Sequence, residues 1–292
     1  MNDALVCDVC PHACALKNGQ CGFCGARANN GGKIVCINYG YTTSIALDPI
    51  EKKPLNRYKS GSLVLSIGSF GCNFRCPFCQ NHSISMSRPR SVDDKTIYRT
   101  ACFTTKEELA LKAESLRAAG NIGIAYTYNE PLAGYEFVYD TAAYIKARDM
   151  DNVIVTNGCI NSAYFEKLLP FTGAVNIDLK TYNAAYYQTL AGLPAKNAAS
   201  ALALVKNNIT LAAARCHVEL TCLVIPGEND SPEEMDAMST WIASVSPTIP
   251  LHITRFFPRY HYADRQPTPL DTLRKLEKIA RSRLRFVYLG NV

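Results

Sequence analysis

The 292-residue sequence lacks the features of a membrane or secreted protein. It has no run of about 18 consecutive apolar residues, so a membrane-spanning helix is not predicted. Its first ten residues, MNDALVCDVC, contain neither a basic segment nor an apolar one, so a secretion signal is not predicted either. We therefore expect a cytoplasmic protein with no membrane partner.

Strong charge of one sign is also missing. Lys and Arg number 31 against 25 Asp and Glu, which gives a net charge of +6. Basic residues are scattered apart from Arg281, Arg283 and Arg285, a group that is typical of a solvated surface patch. No nucleic-acid partner is expected, and a hydrophobic content of 48% fits a folded globular chain.

Cysteine, in contrast, is abundant, with 13 residues. A secreted disulfide scaffold would be shorter and would carry a targeting segment, so metal ligation is the better interpretation. Six cysteines lie within residues 7–36 and three within 72–79. The other four are scattered, as small buried hydrophobic residues would be: Cys102, Cys159, Cys216 and Cys222.

Residues 61–292 alternate between short apolar runs and amphipathic segments. Strands are predicted over 63–70, 122–128, 152–157, 174–179, 218–225, 251–257 and 284–290. Helices are predicted over 106–118, 132–148, 161–169, 197–208, 231–245 and 269–281. This alternation predicts an α/β fold with a parallel sheet, in the form of an open or partial (β/α)6 barrel. Residues 1–60 are predicted to form a separate extension, cysteine-rich over 1–36 and irregular over 37–60.

Polar residues follow four successive predicted strands at their carboxyl ends. In barrels of this kind, the carboxyl ends of the strands form the face that carries the chemistry. We therefore expect one site built from Cys72 onward, Asn129–Glu130, Asn157 and Asp178–Lys180.

The segment GSFGCNFRCPFCQN, residues 68–81, carries the most specific spacing in the chain. Its Cys72, Cys76 and Cys79 can hold three corners of a cubane iron–sulfur cluster and leave one iron open to another ligand. Zinc usually takes four ligands, typically from two Cys-x2-Cys pairs, so it is the weaker interpretation. Gly68 and Gly71 allow the loop to leave its strand tightly.

With Phe78 between the last two cysteines, this segment resembles the signature of the radical S-adenosylmethionine (SAM) superfamily. The likeness is strongest to the pyruvate formate-lyase activating enzyme group, and within it to the radical SAM enzymes of the AmmeMemoRadiSam system. The other stretches that carry it are residues 10–27, 46–55, 126–131, 156–158, 176–180 and 224–230. The resemblance implies a [4Fe-4S] cluster on the three cysteines, SAM on the open iron, and Phe78 against the adenine.

The resemblance also implies residues that contact SAM. Glu130 stands at the end of a motif in which Tyr128 and Asn129 replace two family glycines, and it is expected beside the methionine ammonium. Lys180 is expected to meet the SAM carboxylate together with Asp178, and Asn157 to touch the ribose or methionine end. A helix-capping carboxylate for Glu130 and a surface ion pair for Asp178–Lys180 are the alternatives.

Two positions depart from the activating enzymes. Val155 stands where those enzymes carry an acidic residue, and Thr221 stands near the place of a basic one. A monovalent-cation site and an arginine clamp on SAM are therefore not predicted. His252 and Arg255, on the sixth strand, either line the pocket or have a structural role.

The N-terminal cysteines suggest a second metal site. Cys7, Cys10, Cys21 and Cys24 form two Cys-x2-Cys pairs, which suit tetrahedral zinc. Cys14 and Cys36 are surplus to that set, and a second, auxiliary iron–sulfur cluster would use them more naturally. Three interpretations of these cysteines therefore stay open: a zinc site, a second iron–sulfur cluster, and free cysteines in the core.

By resemblance, the implied reaction begins when a flavodoxin or ferredoxin reduces the cluster and SAM is cleaved to methionine and a 5′-deoxyadenosyl radical. The bound cofactors carry this chemistry, so no side chain is predicted to be catalytic. The radical would take hydrogen from a glycine of a partner, a glycyl radical enzyme, as the activating enzymes do. Alternatives are a small molecule or another protein side chain as substrate, and a non-catalytic iron–sulfur or zinc electron-transfer protein.

Overall fold

The computed structural model describes residues 4–191 and 195–292, with strands β1–β14 and helices α1–α8. The strands are Leu5–Val6, Ala15–Leu16, Arg27–Asn30, Lys33–Cys36, Tyr41–Thr42, Ser44–Pro49, Leu63–Gly68, Cys102–Phe103, Asn121–Tyr126, Asp151–Thr156, Ala174–Asp178, His217–Val224, Leu251–Arg255 and Val287–Gly290. The helices are His82–Ser85, Lys106–Ser115, Tyr135–Lys146, Ser162–Leu168, Ala184–Ala191, Ala195–Ala213, Pro232–Val245 and Leu270–Arg281.

One large sheet organises the described part of the chain. Its strand order is β14-β13-β12-β11-β10-β9-β7-β6, and every neighbouring pair is parallel except β6 and β7. Six strand–helix units run from β7 to α8, and β14 follows them. Because β6 and β14 lie at opposite edges, the sheet is a partial barrel, and the predicted α/β architecture is confirmed.

The strands form where apolar runs were predicted, because a parallel sheet covered by helices buries both faces of its strands. Helix α7 begins where its sequence predicts: Ser231 accepts a hydrogen bond from the Glu234 amide at 3.1 Å, and Pro232 occupies the first turn. Helix α2 begins with a capping box in which Thr105 and Glu108 bond each other's backbone amides.

The expectation of an irregular connector over residues 37–60 is wrong for β6. This strand pairs antiparallel with β7, from Ser44 opposite Gly68 to Pro49 opposite Leu63. Backbone pairing along the sheet edge forms it, and its side chains are half-buried or exposed, so it lacks the apolar run that marks the central strands. The sheet therefore begins before residue 61.

The thirteen cysteines form no disulfide. Cys159 and Cys222 are buried as predicted, and Cys216 is half-buried. Burial was wrongly predicted for Cys102, which is exposed because it lies on β8, a two-residue strand paired with β5 outside the main sheet. Among the described helices, none is both long enough and apolar enough to cross a membrane.

Candidate active site

The loop that carries Cys72, Cys76 and Cys79 begins at the carboxyl end of β7. Gly71 makes its first turn possible: its φ is +89°, and a Cβ atom there would stand 2.5 Å from the Cys24 carbonyl oxygen. The Cys72 amide donates to that same oxygen at 2.9 Å. The backbone thus passes so close to the N-terminal segment that only glycine fits.

The three thiols suit the cluster that their spacing predicts. The Phe74 amide donates to Cys72 Sγ at 3.3 Å, a contact that stabilises a thiolate. Burial is the main cause that raises the pKa of Cys72 above its ordinary value. The charges of Glu130 and Cys76 raise it further, so these groups lie near one another. In the described ranges no set of three His, Cys, Asp or Glu side chains is already arranged around a metal position, this triplet included. Three thiols on one loop are nevertheless the donor set for three corners of a [4Fe-4S] cluster.

Glu130, just after β9, is only 3% exposed and accepts three hydrogen bonds. Its Oε1 accepts from the Leu132 amide at 3.0 Å and from Thr156 Oγ1 at 2.7 Å, while Oε2 accepts from the Asn157 amide at 2.7 Å. Burial raises the pKa of this carboxyl to about 7, against the opposing effect of these donors. Glu130 therefore caps the turn Pro131–Gly134 and joins the ends of β9 and β10.

Asn157, which follows β10, connects Glu130 to the cysteine loop. Its Nδ2 donates to Asn73 Oδ1 at 2.7 Å and lies 4.0 Å from Cys72 Sγ. Its Oδ1 accepts from the Cys159 amide at 2.9 Å. Asn73 carried no sequence signal of its own, apart from its place within the cysteine loop.

Asp178 and Lys180, at the end of β11, form an ion pair with 2.8 Å between Lys180 Nζ and Asp178 Oδ2. Both side chains are partly exposed, at 32% and 15%. Burial lowers the pKa of Lys180, but Asp178 and Cys76 outweigh it and raise that pKa above its ordinary value. The pair therefore lies beside the cysteine triplet, with its ammonium charged.

Phe78 is buried and faces a segment that the sequence did not single out, residues 256–268 after β13. The ring centroids of Phe78 and Tyr262 are 6.1 Å apart, and the His261 amide donates to the Pro77 carbonyl at 2.9 Å. Tyr260 stacks on His82 with 4.4 Å between centroids. This segment covers the cysteine loop from one side.

Two residues of the sixth predicted strand make structural contacts. His252 Nε2 lies 2.6 Å from Glu219 Oε2, near the start of β13 and away from the carboxyl ends of the strands. Arg255 Nε donates to the Thr268 carbonyl at 2.8 Å. On β12, Thr221 donates to Asn176 Oδ1 at 3.0 Å, and Val155 on β10 is half-buried.

The N-terminal cysteines gather in a different combination from the two predicted pairs. Cys7, Cys10, Cys14 and Cys24 line one pocket, together with His12, Arg27 and Asn73. The pocket includes Cys14 but not Cys21, which forms an isolated β-bridge with Ala28. Cys36 also lies outside it, with its Sγ donating to Asn38 Oδ1 at 3.0 Å.

A sequence model of the Radical SAM superfamily matches residues 66–238, a range that begins in β7 and includes the cysteine triplet, Glu130, Asn157 and Lys180. The chain belongs to the radical SAM superfamily. Membership implies a [4Fe-4S] cluster and SAM as cofactors, and it supports SAM cleavage as the activity. This radical SAM chain is also 36% identical to uncharacterized protein MJ0808 of Methanocaldococcus jannaschii, over 98% of its own length and 81% of the relative's.

Solved structures share the fold at low sequence identity. A radical SAM methyltransferase from Sphaerobacter thermophilus matches with a TM-score of 0.58 and 16% identity, over 78% of this chain and 66% of that one. SuiB from Streptococcus suis matches at 0.52 and 11%, over 78% and 50%. HydG, a maturase of the [FeFe]-hydrogenase, matches at 0.52 and 15%, over 75% and 48%. The chain thus spans about half the length of the last two proteins.

Proposed function

We propose that this protein binds its cluster through Cys72, Cys76 and Cys79, cleaves SAM there, and activates a partner enzyme by removing hydrogen from a glycine. The observation that carries the first part is the meeting of the ends of β7, β9, β10 and β11 around Cys72. When bound, a reduced cluster supplies the electron that breaks the C5′–S bond of SAM, giving methionine and a 5′-deoxyadenosyl radical. Each side chain then has a task in binding or orientation.

Lys180 is proposed to hold the carboxylate of SAM. Its ammonium is fixed by Asp178 at 2.8 Å and lies close enough to Cys76 for the two charges to interact. A cation placed beside the cluster position suits a carboxylate bound next to the open iron. Asp178, the more exposed partner, keeps this ammonium in place.

Glu130 is proposed to position the SAM-binding turn, with Asn157 as the residue that faces the ligand. Both Glu130 oxygens are already engaged by donors of the protein, which favours the capping alternative over a direct contact with the methionine ammonium. By holding the Asn157 amide, Glu130 fixes a residue whose side chain approaches Cys72. Phe78, by its place between Cys76 and Cys79, is proposed to lie against the adenine.

The glycyl radical activity rests on the resemblance to the activating enzymes in the stretches 46–55, 126–131 and 176–180. The fold is compatible with a peptide substrate, since SuiB, which shares it, has been solved with the precursor peptide SuiA. A flavodoxin or ferredoxin is the proposed electron donor. The proposed location is the cytoplasm, where thiols stay reduced.

A second candidate is hydrogen abstraction from a small molecule or from another protein side chain. The observation that favours it is the segment 256–268, which packs on Pro77 and Phe78 of the cysteine loop.

The test of SAM cleavage is direct. The protein, reconstituted with iron and sulfide, is incubated with dithionite and SAM, and 5′-deoxyadenosine is measured by chromatography. We expect product from the wild type and none from Cys76→Ala, with Cys102→Ala as a matched control that retains activity. A fully reconstituted wild type that makes no product would instead support the electron-transfer alternative.

The partner requires a second experiment. Candidate glycyl radical enzymes encoded near this protein are added to the same reaction, and electron paramagnetic resonance is recorded. The expected result is a carbon-centred doublet that depends on SAM and is lost when the partner's glycine is replaced by alanine. SAM cleavage without this signal would favour the small-molecule candidate.

A further inference from the structure

Four N-terminal cysteines line one pocket together with Asn73 of the cysteine loop. Pairing of β1 with β2 brings Cys7 opposite Cys14, whose carbonyl accepts from the Cys7 amide at 3.0 Å. A tight turn between Cys10 and Ala13, with 3.1 Å between carbonyl oxygen and amide nitrogen, folds the intervening residues back. A second turn, Gly22–Gly25, carries Cys24 to the same pocket.

We propose that Cys7, Cys10, Cys14 and Cys24 are the complete ligand set of a second metal centre, and that Cys21 and Cys36 are not ligands. Four cysteines that line one pocket supply the donor set of structural zinc and of a [4Fe-4S] cluster alike. The shared chemistry is a four-thiolate centre for a thiophilic metal. The proposal concerns metal binding, and it stands independently of the reaction at the Cys72 loop.

Backbone N–H donors and a buried arginine lie at this pocket. The Phe23 amide donates to Cys14 Sγ at 3.5 Å, and the Ala26 amide donates to Cys24 Sγ at 3.4 Å. Arg27, 5% exposed, also lines the pocket. Its two terminal nitrogens each bond Glu136 at 2.6 Å, while its Nε has no partner among the described residues. A buried cation and N–H donors around sulfur stabilise thiolates over thiols.

The two excluded cysteines have other partners. Cys21 pairs through its backbone bridge with Ala28, and burial, followed by Asp94, raises the pKa of its thiol. Cys21 is not among the residues that line the pocket. The Cys36 thiol donates to Asn38 Oδ1 at 3.0 Å, which uses the proton that metal binding would have to displace.

Residues of the proposed metal centre also contact the cysteine loop of the active site. The Cys24 carbonyl accepts from the Cys72 amide at 2.9 Å. Asn73 lines the pocket and bonds Asn157, which in turn lies 4.0 Å from Cys72 Sγ. A metal that fixes Cys24 therefore also fixes the start of the cluster loop.

The ligand set is tested by metal analysis of the full chain, in a background where Cys72, Cys76 and Cys79 are all alanine. This background makes no 5′-deoxyadenosine, so metal bound to it reports the N-terminal pocket alone. We expect about one zinc or about four irons with sulfide per chain, and either metal supports the proposal. Cys14→Ala is expected to remove at least about four-fifths of that metal, a fivefold loss, whereas Cys21→Ala and Cys36→Ala retain it. Equal losses in Cys14→Ala and Cys21→Ala, or a background without metal, would overturn it.

A second measurement covers the case in which Cys14→Ala fails to fold. The unaltered protein is alkylated before and after treatment with a chelator, and the modified cysteines are identified by mass spectrometry. Metal removal should raise labelling of the four proposed ligands several-fold and leave Cys21 labelling unchanged. A rise at Cys21 that matches the rise at Cys14 contradicts the proposed ligand set.

Discussion

Replacing Glu219 by glutamine is expected to lower the free energy of unfolding by about 3 kcal/mol at pH 7. The Glu219 side chain is fully buried on β12, and its carboxylate accepts four hydrogen bonds. Two come from the backbone amides of Asn56 and Arg57, at 3.0 and 2.7 Å. The other two join it to His217 Nε2 at 2.9 Å and to His252 Nε2 at 2.6 Å. Glutamine keeps the size of the side chain but presents an NH2 group to one of these donors.

The magnitude follows from the pKa of the carboxyl. Burial acts to raise this pKa, but the two histidines and the two amides outweigh it and lower it from 4.5 to about 2. Because the folded pKa is the lower one, the stabilisation is complete above pH 4.5 and is lost as the pH falls toward 2. This lowering of the Glu219 pKa stabilises the folded state by about 3 kcal/mol at pH 7. The stabilisation falls to about 1 kcal/mol at pH 3.

The assay is urea unfolding followed by circular dichroism, for wild type and Glu219→Gln at pH 7 and at pH 3.5. The matched control is Glu166→Gln, the same change at an exposed position of α4, which should alter the unfolding free energy by less than about 0.5 kcal/mol. The gap between wild type and Glu219→Gln should shrink at the lower pH. A gap below 1 kcal/mol at pH 7, or one that grows on acidification, would refute the reasoning.

Three further predictions concern single positions. Gly71→Ala should destabilise the chain by at least about 1 kcal/mol and lower the iron content, since it adds a contact of 2.5 Å to an unfavourable φ. Gly61→Ala is the control for Gly71→Ala, because Gly61 has a φ of +82° and open space around it, and it should affect stability alone. Equal iron loss in the two variants would contradict the argument. Lys180→Met should raise the KM for SAM at least tenfold, which is about 1.4 kcal/mol of binding, in a steady-state assay of 5′-deoxyadenosine; an unchanged KM would remove Lys180 from the SAM site. Thr105→Ala should lower the unfolding free energy by about 1 kcal/mol in urea through loss of the α2 cap, and an unchanged midpoint would show that this helix end does not limit stability.

The main sheet could be predicted from sequence because its central strands are apolar runs bounded by helical segments. Strand β6 could not, since SIALDP carries a charge, ends in proline and has no fully buried side chain. What forms β6 is the free edge of β7, and that edge exists only once β7 is part of a sheet. A pattern read along one segment does not contain this information.

The candidate site also combines features that one segment of the sequence indicates with features that depend on neighbouring strands. The spacing of Cys72, Cys76 and Cys79 indicates a cluster by itself, because one loop carries all three cysteines. The role of Glu130 depends on Thr156 and Asn157, which reach it from the next strand. The spacing of the N-terminal cysteines admits Cys14 and Cys21 equally, and only the fold shows that Cys14 lines the pocket while Cys21 does not.

The docking of the N-terminal segment has a consequence for the order of events during synthesis. The surface that receives it is built from residues far downstream: the Cys72 amide bonds the Cys24 carbonyl, and the Asn161 amide bonds the Val9 carbonyl at 2.9 Å. At about 5–20 residues per second, a ribosome needs several seconds or more to reach residue 161 after the N-terminal cysteines have emerged. During that interval these thiols are open to metal and to oxidants. Metal present during translation can therefore reach the proposed ligands before the pocket has formed.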